Sequence, residues 1–333
     1  MESKAQGIET VPPHVIEFAA RLWNVIQPKT LNPQLDEVHD FNQRERDRWV
    51  AKKASSLASG TKVLDIGAGT CPYRNLFSHC EYKTHDFKQY TGEKLGGTSE
   101  YGHIDYVSDI KSIPVPDASF DVLLCTEVFE HVPEPIEALR EMSRIVKPGG
   151  RIFITAPLGS GLHQLPFHFY GGYTPHWYQH FGTEFGLEVS EITSNGGFFK
   201  LLSQEVARSA GYIASTLNLE REDSKVVNNF FGQILPLRLF ELDETNMIEQ
   251  FTVGYFVEMR KPAAGASLTD PAWQEISRQL AESSSNVETI INAALYWIEK
   301  KNFAEAREYA KKALTLDPHN QQLKKLLVEL DRL

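Results

Sequence analysis

The residues Asp65, Gly67 and Gly69 form a pattern that could bind a nucleotide cofactor, because they end an apolar run in an Asp-x-Gly-x-Gly turn. Glycine has no Cβ atom, so a ligand can approach the backbone closely. A helix that begins at Pro72 would add free N–H groups and a positive dipole end. We therefore expect a strand, a tight turn and a helix here, with a ligand bound at the turn.

The spacing of this turn separates two classes of ligand. A dinucleotide fingerprint requires a third glycine at position 72, where the chain has Pro72, so NAD is disfavoured. Asp65 suits a cationic ligand, such as a sulfonium or an ammonium, better than a phosphate. The turn resembles the first motif of class I S-adenosylmethionine-dependent methyltransferases of the type 11-like kind, Asp/Glu-x-Gly-x-Gly-x-Gly, with Cys71 at the third glycine.

Short apolar runs alternate with helical stretches from Lys62 to about Lys261, as a doubly wound parallel sheet requires. The resemblance implies a Rossmann-like, seven-stranded, mostly parallel sheet with S-adenosyl-L-methionine as cofactor and S-adenosyl-L-homocysteine as product. We expect a helical lead-in over residues 1–60, which either covers the cofactor or pads the sheet edge. The methyltransferase domain is predicted over 61–262, and an all-α module over 263–333.

The ends of the predicted strands supply candidates for holding the cofactor. Asp86 ends the second strand about 20 residues after the glycine turn begins, the spacing at which a carboxylate meets ribose hydroxyls. The resemblance implies that Asp109 approaches the adenine amino group and that Ile110 packs on the ring, although Asp109 could instead cap a turn. The fourth strand delivers Thr126 and Glu127 to the carboxyl end of the sheet, where ligands bind. The predicted cofactor residues are Asp65, Gly67, Gly69, Asp86, Asp109, Ile110 and Thr126.

The segment after the fifth strand is dense in histidine and aromatic residues, and the resemblance implies that it recognises the acceptor. A base for a hydroxyl must titrate near neutrality, which favours histidine. We predict His163 and His168 as candidate bases, with Tyr170 and Tyr173 as an apolar wall for the acceptor. Local satisfaction of backbone groups is the alternative role for these histidines.

Two further histidine features have simpler interpretations. His176 and His180 are four residues apart on a helix predicted to begin at Thr174-Pro175, so they share one face. That is a metal-ligand spacing, but no cysteine is near and no glutamate lies between them, so we expect residues that line an acceptor cleft and no metal. Glu-His-Val segments are widespread in the family, so we expect His131 to pack near the methionine end of the cofactor.

The composition of the chain limits the classes of partner and the cellular location that we expect. The 333 residues carry a formal net charge of −10, which argues against nucleic acid. We expect no membrane span and no secretory signal, because apolar runs are short and the N-terminus has no basic and apolar leader. The three cysteines cannot all pair and suit a reducing cytosol, so we expect a cytoplasmic protein.

The C-terminal part of the sequence has a helical pattern instead of the alternation of strands and helices that precedes it. Residues 290–320 resemble one tetratricopeptide repeat, with Phe303, Ala306, Ala313 and Pro318 at marked positions. A simple helical hairpin is the alternative. A single repeat cannot cover its own apolar face, so we expect it to dock on its own chain or on a second copy in a homodimer. A helical insertion is also predicted over 199–250, as a lid or a dimer surface.

These features predict an S-adenosylmethionine-dependent O-methyltransferase that acts on a sugar or another small polyhydroxylated metabolite, free or linked to a glycan. Methyl transfer needs in-line placement and, for a hydroxyl acceptor, removal of a proton. One alternative is N-methylation of a small amine or an amino sugar. Another, of a different class, is a non-catalytic scaffold whose C-terminal repeat serves as a docking module.

Overall fold

The computed structural model describes residues 17, 20–22, 24–25, 38–92, 98, 100–245, 247–262, 271–283 and 285–331. About half of the predicted helical lead-in over residues 1–60 lies outside these residues. The described residues form two compact units. The larger comprises Glu45–Asn195 and the described residues from Val253 onward, and the smaller comprises the described residues up to Arg44 together with Gly196–Thr252.

The larger unit is built on seven strands. They are β1 (Lys62–Ile66), β2 (Glu81–Asp86), β3 (Tyr106–Val107), β4 (Phe120–Thr126), β5 (Val146–Pro157), β6 (Glu188–Ser194) and β7 (Gly254–Arg260). They form one sheet with the order β3-β2-β1-β4-β5-β7-β6. Strands β1 to β5 pair in parallel, and β7 is antiparallel to both neighbours. The predicted seven-stranded, mostly parallel Rossmann-like sheet is confirmed.

Helices cover both faces of this sheet. Helix α1 (Phe41–Ser55) packs its Trp49 and Val50 in one core cluster, and α2 (Pro135–Ile145) contributes to the other. Side chains of β4 alternate between the two clusters, with Val122 in the first and Leu123 in the second. A strand buried on both faces reads as a continuous apolar run, which is why its bounds could be predicted.

The helix predicted after the glycine turn does not form. Its place is taken by a 3₁₀ helix of four residues, Arg74–Phe77, within a series of turns. The glycine turn uses the first residues after β1, and β2 already begins at Glu81, so the crossover has little room for an α-helix. A longer helix, α3 (Pro175–Glu184), begins as predicted, because Thr174 Oγ1 accepts the N–H of Trp177 at 3.4 Å.

The smaller unit contains the predicted helical insertion. It consists of α4 (Phe198–Thr216), α5 (Arg221–Asn229), a π-helical segment (Phe230–Ile234) and α6 (Leu235–Thr245). Asp243 of α6 caps α4, because its carboxylate accepts the N–H groups of Gly197 at 2.9 Å and Phe199 at 3.1 Å. None of the helices that the structure describes is long and apolar enough to cross a membrane.

Four C-terminal helices complete the larger unit: α7 (Pro271–Glu282), α8 (Val287–Glu299), α9 (Phe303–Leu316) and α10 (Gln321–Leu330). Alanines 293, 294, 306 and 310 are fully buried and let α8 and α9 approach closely. The helical module is as expected, and its tetratricopeptide ancestry remains a prediction.

The C-terminal module docks on the β6 edge of its own chain. Tyr309 donates a hydrogen bond to the buried Glu188, and Lys312 Nζ donates to the carbonyl of Ser190 at 2.9 Å. Arg260 Nη1 of β7 lies 3.1 Å from Glu305 Oε2 of α9. These contacts cover a face of the module within one chain, which was one of the two expected modes of docking.

Candidate functional site

A cavity of about 540 Å³ lies where β1, β2 and β4 end at the carboxyl edge of the sheet. The sheet order reverses between β1 and β4, which is where open α/β sheets bind ligands. All the cofactor residues predicted from the sequence line it, from Asp65 in β1 to Thr126 in β4. The volume is in the range of small-molecule sites.

The two glycines of the turn have different roles. Both adopt left-handed backbone conformations, with φ of 71° at Gly67 and 53° at Gly69. A Cβ atom at Gly67 would lie 2.4 Å from Cγ2 of Val128, so there the space is filled by the protein. A Cβ atom at Gly69 would meet no heavy atom of the described residues within 4 Å. The close approach of a ligand that the sequence predicted is therefore possible at Gly69.

Asp86 is held rigidly beside this turn. Its Oδ2 accepts the N–H of Gly69 at 3.0 Å, and its Oδ1 accepts the N–H of Lys88 at 2.9 Å. The residue is 5% exposed and lines the cavity. Each carboxylate oxygen has two lone pairs, so each keeps one acceptor site for hydroxyl groups of a ligand.

Asp65 is buried at the start of the turn and accepts a hydrogen bond from the Tyr82 hydroxyl. Burial, aided by the nearby charge of Asp86, raises the pKa of Asp65 to about 7 against the opposing effect of that hydrogen bond. A cationic ligand would stabilise the ionised carboxylate.

The sequence left two roles open for Asp109, one in a turn and one beside the ligand, and its surroundings are compatible with both. Its Oδ1 accepts the N–H of Lys111 at 2.9 Å, which closes an Asx turn, and the residue also lines the cavity. Its side chain is 60% exposed. The following Ile110 is only 8% exposed and presents an apolar surface to the cavity.

The cavity lining is rich in carboxyl groups. It contains Asp65, Asp86, Asp109, Glu127 and Glu130. Among the described lining residues, Arg46 is the only side chain with a permanent positive charge. This balance favours a ligand that carries positive charge and one anionic group.

Arg46 was missed in the sequence, whereas Glu127 was expected at this edge of the sheet but not among the cofactor residues. Arg46 Nη1 lies 3.6 Å from Glu127 Oε2, and its Nε donates to the Tyr73 hydroxyl at 3.2 Å. Glu127 has a φ of 53° directly after β4, a strained conformation for a residue with a side chain, of the kind that clusters at functional sites. The only signal for Arg46 was its place in a lead-in helix that was expected either to cover the cofactor or to pad the sheet edge.

Three histidines meet at one side of the cavity. The ring of His163 lies 4.8 Å from that of His131 and 4.5 Å from that of His168, measured between centroids. His131 and His163 line the cavity, whereas His168 is not a lining residue. Burial and the neighbouring histidines lower the pKa of His131 to about 4, and burial together with His163 lowers the pKa of His168. The two predicted bases are thus together, and His131 joins them.

The other predicted acceptor residues are not brought to this cavity. Tyr173 is 3% exposed and donates to the Phe129 carbonyl at 2.7 Å, so it belongs to the core. Tyr170 donates to the Pro133 carbonyl at 3.0 Å. His176 and His180 are exposed on α3, outside the lining. The aromatic lining residues are instead Tyr73, Phe87, Tyr90, Tyr101, Phe167 and Phe169.

The strand order, with a cavity beside the glycine turn, is the arrangement that the resemblance to class I methyltransferases implied. Residues 64–154 match a protein family described as "Methyltransferase domain". Residues 64–154 therefore carry a methyltransferase domain of the S-adenosylmethionine-dependent kind, as the resemblance implied.

Curated relatives include three bacterial proteins. The chain is 34% identical over 128 residues to demethylmenaquinone methyltransferase of Paenarthrobacter aurescens, covering 37% of this chain and 50% of the relative. It is 28% identical to ubiquinone biosynthesis O-methyltransferase of Bordetella bronchiseptica, covering 46% and 64%. It is 32% identical to ubiquinone/menaquinone biosynthesis C-methyltransferase UbiE of Pseudoalteromonas translucida, covering 30% and 44%. The chain spans about half the length of these relatives.

Proposed function

We propose that the protein transfers a methyl group from S-adenosylmethionine to a hydroxyl oxygen of a small acceptor. The observation that supports this proposal is that the predicted cofactor residues and the candidate base His163 line one cavity. S-adenosylmethionine supplies a methyl group on a sulfonium, which is already a good leaving group. The protein then has to hold both reactants and remove one proton.

The lining residues fit this cofactor. Asp86 offers one acceptor site on each oxygen to the ribose hydroxyls, and Ile110 offers an apolar surface to adenine. The open space at Gly69 allows the ligand to lie close to the protein backbone. Arg46 suits the methionine carboxylate, and the acidic lining suits the sulfonium and ammonium groups.

Two histidines each have a ring nitrogen whose lone pair is available for the proton of the acceptor. His163 Nδ1 lies 2.9 Å from the carbonyl of Gly161. A carbonyl only accepts, so Nδ1 carries the hydrogen and Nε2 keeps a free lone pair. Ser160 Oγ donates to the Gly171 carbonyl and lies 3.1 Å from His168 Nε2, so His168 donates through Nε2 and keeps its lone pair on Nδ1.

The acceptor that we propose first is a sugar or another small polyhydroxylated metabolite, whose ring would pack on an aromatic wall formed by Phe87 and Phe167. These rings meet edge to face at 5.1 Å. A phenol on a quinone precursor is a second candidate, favoured by the same wall and by the similarity to a ubiquinone biosynthesis O-methyltransferase. N-methylation of a small amine is a third.

The experiment is a transfer assay with full-length protein, methyl-labelled S-adenosylmethionine and a panel of sugars, phenols and amines. Product with a sugar or a phenol supports O-methylation, and product with amines alone contradicts it. His163→Ala and His168→Ala should each keep cofactor affinity, and at least one should lower kcat by ~10²–10⁴. His176→Ala, at an exposed histidine outside the cavity, is the matched control and should change neither. Full turnover in both variants would place the base elsewhere, with Glu127 and His131 next.

Four finer expectations remain predictions. They are a non-catalytic scaffold as the rival function, a homodimer through the C-terminal helices, a glycan-linked acceptor and a cytoplasmic location. Intrachain docking of α9 on β6 weakens the reason for a dimer but does not test it. Light scattering on the full-length chain tests the dimer, and failure to bind S-adenosylhomocysteine would favour the scaffold.

A further inference from the structure

Glu130, His131 and His163 each offer one possible ligand atom to a small cluster at the side of the cavity. These three atoms all lie within 4.8 Å of one another. The closest recorded pair is His131 Nε2 and Glu130 Oε1, at 3.7 Å. Atoms that bind one ion at about 2.0–2.2 Å lie roughly 3–4 Å apart, so only a small movement separates this arrangement from coordination.

The tautomers of both histidines suit metal binding. His131 Nδ1 lies 2.6 Å from the carbonyl of Phe167, as His163 Nδ1 lies 2.9 Å from that of Gly161. Because a carbonyl cannot donate, both Nδ1 atoms carry hydrogen and both Nε2 atoms keep a lone pair. Histidines that bind metals almost always donate their other ring N–H to a carbonyl or a carboxylate.

Glu130 supplies an independent observation. The residue is 1% exposed, and its Oε2 has no hydrogen-bond partner among the described residues. A buried carboxylate oxygen without a donor or a cation is costly, and such groups normally pair or coordinate a metal. Its backbone carbonyl accepts the N–H groups of Phe169 and Tyr170, so Glu130 is fixed to the same loop that carries His163.

We propose that Glu130, His131 and His163 bind a divalent first-row transition-metal ion. Two imidazole nitrogens and one carboxylate oxygen, without a thiolate, are a ligand set for Zn²⁺, Fe²⁺ or Co²⁺. Three protein ligands leave at least one coordination position open. All three residues line the cavity, so a small molecule in the cavity can reach that position.

The site has a consequence for catalysis that rests on the proposed function. A hydroxyl group of the acceptor in the open position would lose its proton more readily, because the cation stabilises the oxygen anion. The proton would pass through one water to His168, which lies just outside the lining with its ring 4.5 Å from that of His163 and which the ion leaves free. The oxygen lone pair then forms the new carbon–oxygen bond as the carbon–sulfur bond of the sulfonium breaks, leaving a neutral thioether.

The sequence indicated no metal, because its one metal-ligand spacing joins residues that are close together in the chain and have no further ligand near them. Glu130 and His131 lie in a 3₁₀ helix after β4, whereas His163 lies in the loop after β5. His176 and His180 have a metal-ligand spacing in the sequence. In the part of the chain that the structure describes, they belong to no cluster of three or more possible metal ligands.

The test is a direct titration of chelator-treated, full-length protein with Co²⁺, followed by its visible absorbance and by competition with Zn²⁺. We expect one ion per chain. His163→Ala, in an exposed loop, should weaken binding by at least about 10-fold, since even changes around a metal ligand cost about 10–100-fold. Glu130→Gln should do the same, with circular dichroism to verify its fold.

His176→Ala is the matched control and should bind Co²⁺ as the unmodified protein does. Absence of saturable binding, unchanged affinity in His163→Ala, or a loss confined to His176→Ala would each overturn the proposal. The titration requires no methyl transfer. A protein that binds one Co²⁺ through His163 but transfers no methyl group would retain the metal site and refute the proposed function.

Discussion

Val128 occupies the space that the missing side chain of Gly67 leaves, with Cγ2 only 2.4 Å from where a Cβ atom would be. Two residues further on, Gly69 has the same left-handed conformation but open space. One glycine is therefore required by packing and the other leaves room for a ligand.

This difference predicts opposite outcomes for a matched pair of variants. Gly67→Ala combines backbone strain with a clash against Val128, and should lower the free energy of unfolding by ~2–5 kcal/mol. Gly69→Ala carries only the strain, ~1–2 kcal/mol, but should weaken binding of S-adenosylhomocysteine. Denaturant unfolding and calorimetric titration measure the two effects. Equal loss of stability in both variants would contradict this division of roles.

Asp86→Ala should weaken binding of S-adenosylhomocysteine by ~1–3 kcal/mol, because it removes a charged acceptor from the ribose hydroxyls. Asp121→Ala, at an acidic residue of β4 outside the cavity lining, is the control and should leave affinity unchanged. Calorimetric titration reports both. Normal affinity in Asp86→Ala would refute the ribose assignment.

The buried carboxyl group of Glu188 should make the stability of the protein depend on pH. Burial raises its pKa to about 7, despite the hydrogen bond from Tyr309. Below pH ~4.5 the carboxyl is protonated in both the folded and the unfolded chain. As pH rises to about 7, the unfolded chain loses this proton first, so this group's contribution to stability falls, by on the order of 3 kcal/mol.

Glu188→Gln removes that contribution while keeping an acceptor for Tyr309. The variant should match the unmodified protein in unfolding free energy near pH 4.5 and exceed it at pH 8. Urea unfolding at a series of pH values measures the difference. A difference that does not change with pH would show that Glu188 is not buried as an acid.

Removal of residues 263–333 should make the remainder aggregate. Without α9, the edge strand β6 loses the contacts that cover Glu188 and the carbonyl of Ser190, and open edges favour intermolecular pairing. Light scattering on the full-length and shortened chains compares their mass. A monodisperse shortened chain with an unchanged melting temperature would mean that the docked helices contribute little.

The cofactor side of the site could be predicted because it follows strand ends. Asp65, Asp86 and Thr126 lie where short apolar runs stop, and parallel topology brings those ends to one edge. The family resemblance added Asp109 and Ile110. The prediction of an α-helix after the turn was wrong, because the sequence alone does not show how little chain remains before β2.

The acceptor side could not be predicted to the same degree. Residues between β5 and α3 have no period that fixes the direction of each side chain, so Tyr173 could not be recognised as core or Phe167 as lining. Arg46 and Glu130 reach the cavity through tertiary packing of separate elements. His163, which lines the cavity, was proposed from chemistry alone, because a proton acceptor was expected to be a histidine close to the strand end.

The central claim is that this cavity binds S-adenosylmethionine, and calorimetric titration of the full-length protein with S-adenosylhomocysteine tests it most directly. We predict about one molecule bound per chain, with affinity reduced roughly 10-fold or more in Asp86→Ala. Absence of saturable binding to the folded, full-length chain would contradict the account.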